Sequence, residues 1–166
     1  MLHVLLDVLA QRQPFVVASA QALNTVTQED VEGYVSGHAI TNIFYILRRQ
    51  VGSEAALRLL STLLQRCSAV LGRQRGLGGL PHERLPWFPP LAIASRQRIQ
   101  IASITDQVIR AALQSSMTDF EDAVTSEAAL ALGLDLIVTR NISDFVSSSV
   151  PVMLPEEFLA ALSEST

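Results

Sequence analysis

The chain has 166 residues, of which 49% are hydrophobic and 17% are charged, and its formal net charge is −4 at pH 7. This composition excludes general disorder and suits one domain with a sizeable core. The acidic balance is not that of a general nucleic-acid-binding protein, but it leaves room for an enzyme that holds a phosphodiester through metal ions. With no long apolar run, no leader pattern and only Cys67 as a thiol, we expect a cytoplasmic protein without membrane segments or disulfides.

Helical patterns dominate the first part of the chain. Apolar side chains recur at helical spacing at Ile43, Phe44 and Leu47. Gly52 is placed to end that helix, and Ser53 is placed to cap the next one. The predicted helices cover residues 4–10, 15–23, 41–51 and 54–65, with a weak strand candidate at 33–38.

A long irregular segment follows these helices. Four glycines and four prolines lie between Gly72 and Pro90, and they break any regular element. A loop of this length is unusual in a compact domain and is either functional or mobile. We interpret residues 70–98 as a loop insertion within a single domain that covers residues 1–166.

Strands alternate with helices in the remainder of the chain. Thr105 opens one helix, Gly133 closes the next, and Leu136, Ile137 and Val138 read as a buried parallel strand. The predicted order is a strand at 99–104, helices at 107–114 and 119–132, strands at 136–138 and 150–154, and a helix at 156–162. Such alternation predicts the α/β class with a mainly parallel sheet.

Two acidic clusters belong to neighbouring elements of this pattern. Asp119 and Asp122 are three residues apart, which places them on one face of a helix. The strand at 136–138 runs back antiparallel to that helix, so Asn141 and Asp144 should lie beside Asp122. Open α/β sheets bind ligands at this edge, and Asp and Asn oxygens suit Mg²⁺ or Mn²⁺.

Local helix chemistry offers a second interpretation of the same acids. Thr118 and Glu121 have the spacing of a capping box, and acids in a first turn interact favourably with the helix dipole. Asp144 could simply begin a turn. The residues alone therefore leave both a metal site and a structural helix cap open.

Several segments together resemble the PIN domain family. The resemblance covers nearly the whole chain except the loop around residues 70–98. The segments that carry it are Asp119-Phe120-Glu121-Asp122-Ala123, Ile137-Val138-Thr139-Arg140-Asn141, Asp144-Phe145 and Pro155-Glu156-Glu157-Phe158 in the second half, with residues 4–15 and 40–47 in the first.

The family is known for metal-dependent single-strand ribonucleases, including the VapC-type toxins of toxin–antitoxin pairs. The resemblance implies a three-layer fold in which helices flank a mainly parallel central sheet. It further implies single-stranded RNA as substrate, an antitoxin-like protein as partner, and a homodimer.

The resemblance also assigns roles by position. Asp122 resembles the central ligand of Mg²⁺ or Mn²⁺, Asp119 the extra acid of this branch, and Asn141 and Asp144 the final pair. On this interpretation Asp119, Asp122 and Asp144 are the catalytic and metal-binding residues. The predicted substrate-binding residues are Thr139, Arg140 and Asn141.

The start of the chain departs from the family pattern. The family opens with a buried strand that ends in Asp-Thr-Asn and is followed by Val-Leu-Leu-Asp. Residues 4–7 match the latter, so Met1 falls on the expected Asp and His3 on the Asn. On this alignment, we expect the given sequence to lack the family's first strand and first acidic ligand. Two hypotheses remain: a metal-dependent endoribonuclease, or an inactive PIN-like module that binds a protein partner or self-associates.

Overall fold

The structure is a computed structural model that describes residues 2–26, 31–68 and 99–164. The elements in chain order are α1 Leu2–Leu9, α2 Val16–Thr25, β1 Gly33–Ser36, α3 Gly37–Val51, α4 Ser53–Ser68, β2 Ile99–Ala102, α5 Asp106–Gln114, α6 Phe120–Ala131, β3 Ile137–Val138, a 3₁₀ helix Ile142–Phe145, β4 Val152–Met153 and α7 Pro155–Glu164. The predicted insertion at 70–98 lies outside the described residues.

The four strands in the described parts of the chain form two parallel pairs. In the first pair Gly33 of β1 lies opposite Ile99 of β2, and in the second Ile137 of β3 lies opposite Val152 of β4. Parallel neighbours need long crossover connections. The helices α3 and α4 lie in the connection from β1 to β2, and the 3₁₀ helix lies in the connection from β3 to β4. The predicted α/β class, with mainly parallel strands flanked by helices, is confirmed. Within the described residues the pairs remain separate two-stranded sheets.

Most element positions follow the sequence pattern, and the main exception is the start of α3. That helix begins at Gly37, directly after β1, whereas the pattern predicts a strand to residue 38 and a helix from residue 41. The early start is explained by burial: Ala39 then joins Ile43 and Leu47 on one buried helical face. α3 therefore begins at the end of β1.

Three hydrophobic clusters hold these elements together. The largest joins α1, α3 and α4 to β1 through residues such as Leu5, Val35 and Ile43. A second packs α5 and α6 against Ala102 of β2. A third joins the C-terminal part of α6 to β3 and to Phe145 of the 3₁₀ helix. Burial of each large apolar side chain stabilises the fold by about 1.5–3 kcal/mol.

The ends of α6 are fixed by local chemistry. Asp119 caps the N-terminus of the helix, and Gly133 follows its C-terminus with φ of +65°. Glycine adopts this left-handed conformation without steric cost, so the chain can reverse there into β3. Among the helices in the described parts of the chain, none is long and apolar enough to cross a membrane.

Candidate metal centre

Asp119 acts as the N-cap of α6. Its Oδ1 accepts the backbone amide of Glu121 at 2.8 Å and that of Asp122 at 3.1 Å. The predicted capping role of this first turn is therefore real, but the cap residue is Asp119 and not Thr118. These two bonds use only Oδ1, so Oδ2 of Asp119 is the oxygen that a ligand could still engage.

Asp122 is the electrostatic centre of the cluster. Burial raises the pKa of its carboxyl group from the ordinary value of 3.8 to about 6, and the carboxylates of Asp119, Asp144 and Glu121 contribute in the same direction. Like charges disfavour each other's ionisation only over short distances. The charges of Asp119 and Asp144 therefore act on the Asp122 carboxyl group. None of these three acids belongs to an ion pair among the described residues.

The loop after β3 presents Asn141 and Asp144. Nδ2 of Asn141 donates to Oδ2 of Asp144, and the Ser143 hydroxyl donates to Asn141 Oδ1 at 3.0 Å. The buried Thr139 accepts the Asn141 amide on Oγ1 at 3.2 Å. Phe145 anchors the following 3₁₀ helix in the core. The polar groups of this loop are therefore held by one another and by a buried neighbour.

Arg140 makes a buried contact that the sequence pattern does not reveal. Its Nε lies 2.8 Å from Oδ2 of Asp7, whose side chain is 0% exposed, and its guanidinium lies 4.2 Å from the Phe15 ring centroid. The Ser19 hydroxyl donates to the same Asp7 oxygen at 2.9 Å. Sequence reasoning missed this pair, although a carboxylate within the apolar run of residues 4–9 signals a buried charge that needs a partner.

Two residues of α3 extend the cluster toward β1. Nδ2 of Asn42 donates to Glu121 Oε2 at 2.6 Å, and Nε2 of His38 lies 3.4 Å from Thr125 Oγ1. Burial lowers the pKa of His38, while the carboxylates of Glu121 and Asp119 act in the opposite direction. These contacts place the C-terminal end of β1 beside the N-terminus of α6, at the same end of the fold as Asn141.

The donor atoms suit a hard cation. Carboxylate and amide oxygens of Asp119, Asp122, Asn141 and Asp144 are the ligands that Mg²⁺ and Mn²⁺ prefer. Repulsion from the neighbouring carboxylates adds to the effect of burial in raising the pKa of Asp122, and a bound cation would relieve that repulsion. Within residues 2–26, 31–68 and 99–164, however, no three His, Cys, Asp or Glu side chains are arranged as a ready metal cluster. The fit therefore lies in donor chemistry and charge, and the assigned ligand roles stay predictions.

A family model described as the PIN domain matches residues 2–143, which covers most of the chain and ends one residue before Asp144. No curated protein and no solved structure matches the chain significantly. PIN domains have nuclease-type functions and generally use a divalent metal. The chain belongs to the PIN domain family.

Proposed function

We propose that this protein is a Mg²⁺- or Mn²⁺-dependent endoribonuclease that cleaves single-stranded RNA. One observation carries the proposal: the Asp122 carboxyl group has a pKa of about 6, because it is half-buried and because the charges of Asp119 and Asp144 act on it. A concentration of negative charge costs stability, and a site that binds a cation accounts for its presence. At neutral pH most Asp122 side chains are ionised and can serve as ligands.

Different residues would bind the metal ion and the RNA. Asp122 and Asp144 would hold the ion, with Oδ2 of Asp119 and the Asn141 amide oxygen assisting. A bound divalent ion supplies Lewis-acid polarisation of the phosphodiester and acidifies a water. Nδ2 of Asn141 orients the Asp144 carboxylate.

We assign phosphate contact to Thr139 and Arg140. The burial of Thr139 and the contact of Arg140 with Asp7 restrict which of their atoms can reach a phosphate. Thr139 is 3% exposed and its backbone N–H donates to the Met153 carbonyl, so little of this residue is open to a phosphate. Nε of Arg140 faces Asp7, which leaves its terminal nitrogens for a phosphate. A guanidinium suits this role because its planar donors match phosphate oxygens.

Cleavage of a fluorescent single-stranded RNA with Mn²⁺ tests the proposal. Wild type should cleave, and Asp122→Ala should lose at least about 100-fold in rate, as expected for loss of a group that stabilises the transition state. Asp106→Asn is the matched control, because Asp106 also lies in the first turn of a helix, but its side chain is exposed and pairs with Arg110. Equal cleavage by wild type and Asp122→Ala would refute the proposal.

A non-catalytic PIN-like module is the second candidate. It is favoured by the lack of a three-acid cluster among the described side chains and by the use of Asp119 as a helix cap. This candidate predicts no heat of Mg²⁺ binding at millimolar concentrations in calorimetry, together with a stable complex with a protein partner. Saturable binding that Asp122→Ala abolishes would reject it.

We further propose that the enzyme is a toxin of the VapC type, controlled by an antitoxin-like protein and active as a homodimer. The family resemblance supports this assignment, and exposed apolar side chains such as Tyr45 and Leu57 are suited to protein contacts. Expression of the wild type, but not of Asp122→Ala, should arrest growth of the host cell. A monomeric mass in light scattering would refute the homodimer.

A further inference from the structure

Two exposed phenylalanine rings lie beside the segments that carry the metal centre. Phe15 is 39% exposed and Phe120 is 48% exposed, whereas the other phenylalanines in the described parts of the chain are buried or half-buried. Single exposed apolar side chains are common on protein surfaces and need no explanation. The positions of these two are informative, because one ring follows a candidate metal ligand in the chain and the other contacts the loop that carries two more.

Phe120 is the first residue of α6 and lies between two acids of the metal centre in the chain. Asp119 precedes it directly and caps the helix, and Asp122 follows two residues later. Neighbouring Cα atoms are about 3.8 Å apart, so this side chain begins one residue away from a candidate metal ligand. An RNA whose phosphate reaches an ion at Asp122 therefore brings its bases close to an exposed aromatic ring.

Phe15 contacts the loop after β3 through Arg140. The guanidinium carbon Cζ of Arg140 lies 4.2 Å from the ring centroid, so it covers one face of the ring. The buried Asp7 carboxylate holds Arg140 Nε at 2.8 Å, and Asn141 is the next residue in the chain. Aromatic rings and guanidinium planes are the groups on which proteins stack unpaired bases. Phe15 and Arg140 therefore form one preformed stacking surface beside Asn141.

The charge of the chain favours stacking over phosphate contacts as the source of RNA affinity. The chain has no lysine and a formal net charge of −4. The metal centre adds the carboxylates of Asp119, Asp122 and Asp144, which repel phosphates until an ion binds. The attraction between basic side chains and the nucleic-acid backbone, which dominates most such complexes, is therefore weak here. Stacking on an aromatic ring does not depend on net charge and strengthens binding by about 5- to 150-fold for each base.

We propose that Phe15 and Phe120 each stack on a base of the RNA strand, and that Arg140 extends the stacking surface of Phe15. This proposal rests on the proposed ribonuclease function for its ligand, single-stranded RNA. It also accounts for the preference for single strands, because the bases of a duplex are paired and stacked on one another, whereas unpaired bases can stack on a protein ring. Selection among the four bases should be weak, because every base presents an aromatic face.

Metal-free RNA binding tests the two rings without any cleavage. A fluorescein-labelled single-stranded RNA of about 12 nucleotides should bind the full chain saturably in fluorescence anisotropy with EDTA. Phe15→Leu and Phe120→Leu should each weaken binding about tenfold, whereas Phe15→Trp and Phe120→Trp should preserve it. The matched control is Leu130→Ala, which should bind like wild type, because Leu130 is also 48% exposed but lies about 15 Å further along α6. Equal affinity of wild type and both Leu variants, or no saturable binding by wild type, would overturn the proposal.

Abasic RNA distinguishes stacking from other contacts. Removal of the base that stacks on Phe120 should weaken binding to wild type about tenfold, but should not weaken binding to Phe120→Leu any further. The same coupling should appear for Phe15 at a different position of the strand, and additive losses at every position would contradict stacking. Raising KCl from about 50 to about 200 mM should weaken binding less than about tenfold, as expected for one or two phosphate contacts. A loss of about 1,000-fold would show that phosphate contacts dominate and would also overturn the proposal.

Cleavage with Mn²⁺ separates this proposal from the proposed nuclease activity. RNA binding that depends on the two rings, without cleavage by wild type, would support the stacking surface and refute the nuclease. Cleavage by wild type, with RNA affinity and cleavage rate unchanged in both Leu variants, would support the nuclease and overturn the stacking surface. A changed mass of the Leu variants in light scattering, with unchanged RNA affinity, would assign the rings to an interface between copies of the chain and would also overturn the proposal.

Discussion

Asp122→Asn should stabilise the metal-free protein at pH 7. The variant keeps the shape of the side chain and removes a charge that burial and neighbouring carboxylates disfavour. The gap between the ordinary pKa of 3.8 and about 6 corresponds to about 3 kcal/mol. Because the carboxylate is partly exposed, solvent screening reduces the expected gain to about 1 kcal/mol. For a chain of this length, that gain raises Tm by about 3 °C.

The pH dependence of this gain has a definite sign. Between pH 4 and pH 6 the folded state binds more protons at Asp122 than the unfolded state, so wild-type stability falls as pH rises through that interval. The Asn variant lacks this loss, so the Tm values of the two proteins should be nearly equal near pH 4 and should differ most above pH 6. Thermal unfolding in EDTA, followed by circular dichroism across this pH range, measures the difference.

Added Mn²⁺ should reverse the order of stability. At ten times the dissociation constant, a ligand that binds only the folded state stabilises it by about 1.4 kcal/mol. Wild type should gain this amount and Asp122→Asn should not. Asp106→Asn is the control, since it removes an exposed first-turn acid that pairs with Arg110 and should not stabilise the protein. A metal-free Asp122→Asn variant less stable than that control would refute the reasoning.

Three further outcomes follow from buried contacts near the cluster. Asp7→Ala leaves the Arg140 guanidinium without its carboxylate and should cost about 3 kcal/mol in urea unfolding, whereas adding Arg140→Met should recover part of the loss. Full additivity of the two changes would contradict a direct pair. Thr139→Val removes the hydroxyl that accepts a hydrogen bond from the Asn141 backbone N–H. The variant should lose about 1 kcal/mol in its free energy of unfolding and should bind Mn²⁺ more weakly in calorimetry. Unchanged Mn²⁺ binding would argue against a positioning role for Thr139. Burial should keep the pKa of His38 below 6.5 in an NMR titration, and a higher value would contradict the described packing.

Elements with strong local signals were predictable from the sequence. The helix predicted over 119–132 is α6 Phe120–Ala131, and the strand predicted over 136–138 is β3 Ile137–Val138. An acidic cap and a glycine with positive φ define the helix ends, and both act within a few residues. The same geometry predicts that Asp144 lies near Asp122, because a short reversal returns the strand beside the helix, and the charge of Asp144 acts on the Asp122 carboxyl group.

Features that depend on distant contacts were not predictable. The family resemblance assigns Arg140 to substrate binding, and the structure adds a contact between its Nε and Asp7, which lies far away in the sequence. No periodicity links these two positions, so only the packed structure reveals the pair. The separation of the strands into two pairs could not be predicted from the sequence either, because pairing depends on which strand edges meet and not on the composition of any one strand.

The Asp7–Arg140 pair also affects how the protein opens locally. Asp7 lies in α1, the Ser19 hydroxyl that donates to it lies in α2, and Arg140 lies in the loop after β3. If α1 detached alone, a partly buried guanidinium would lose its counter-charge, which makes independent fraying of α1 costly. We therefore expect the three segments to open as one cooperative unit. Local opening of the loop that carries Asn141 should then cost as much free energy as opening α1 and α2 with it.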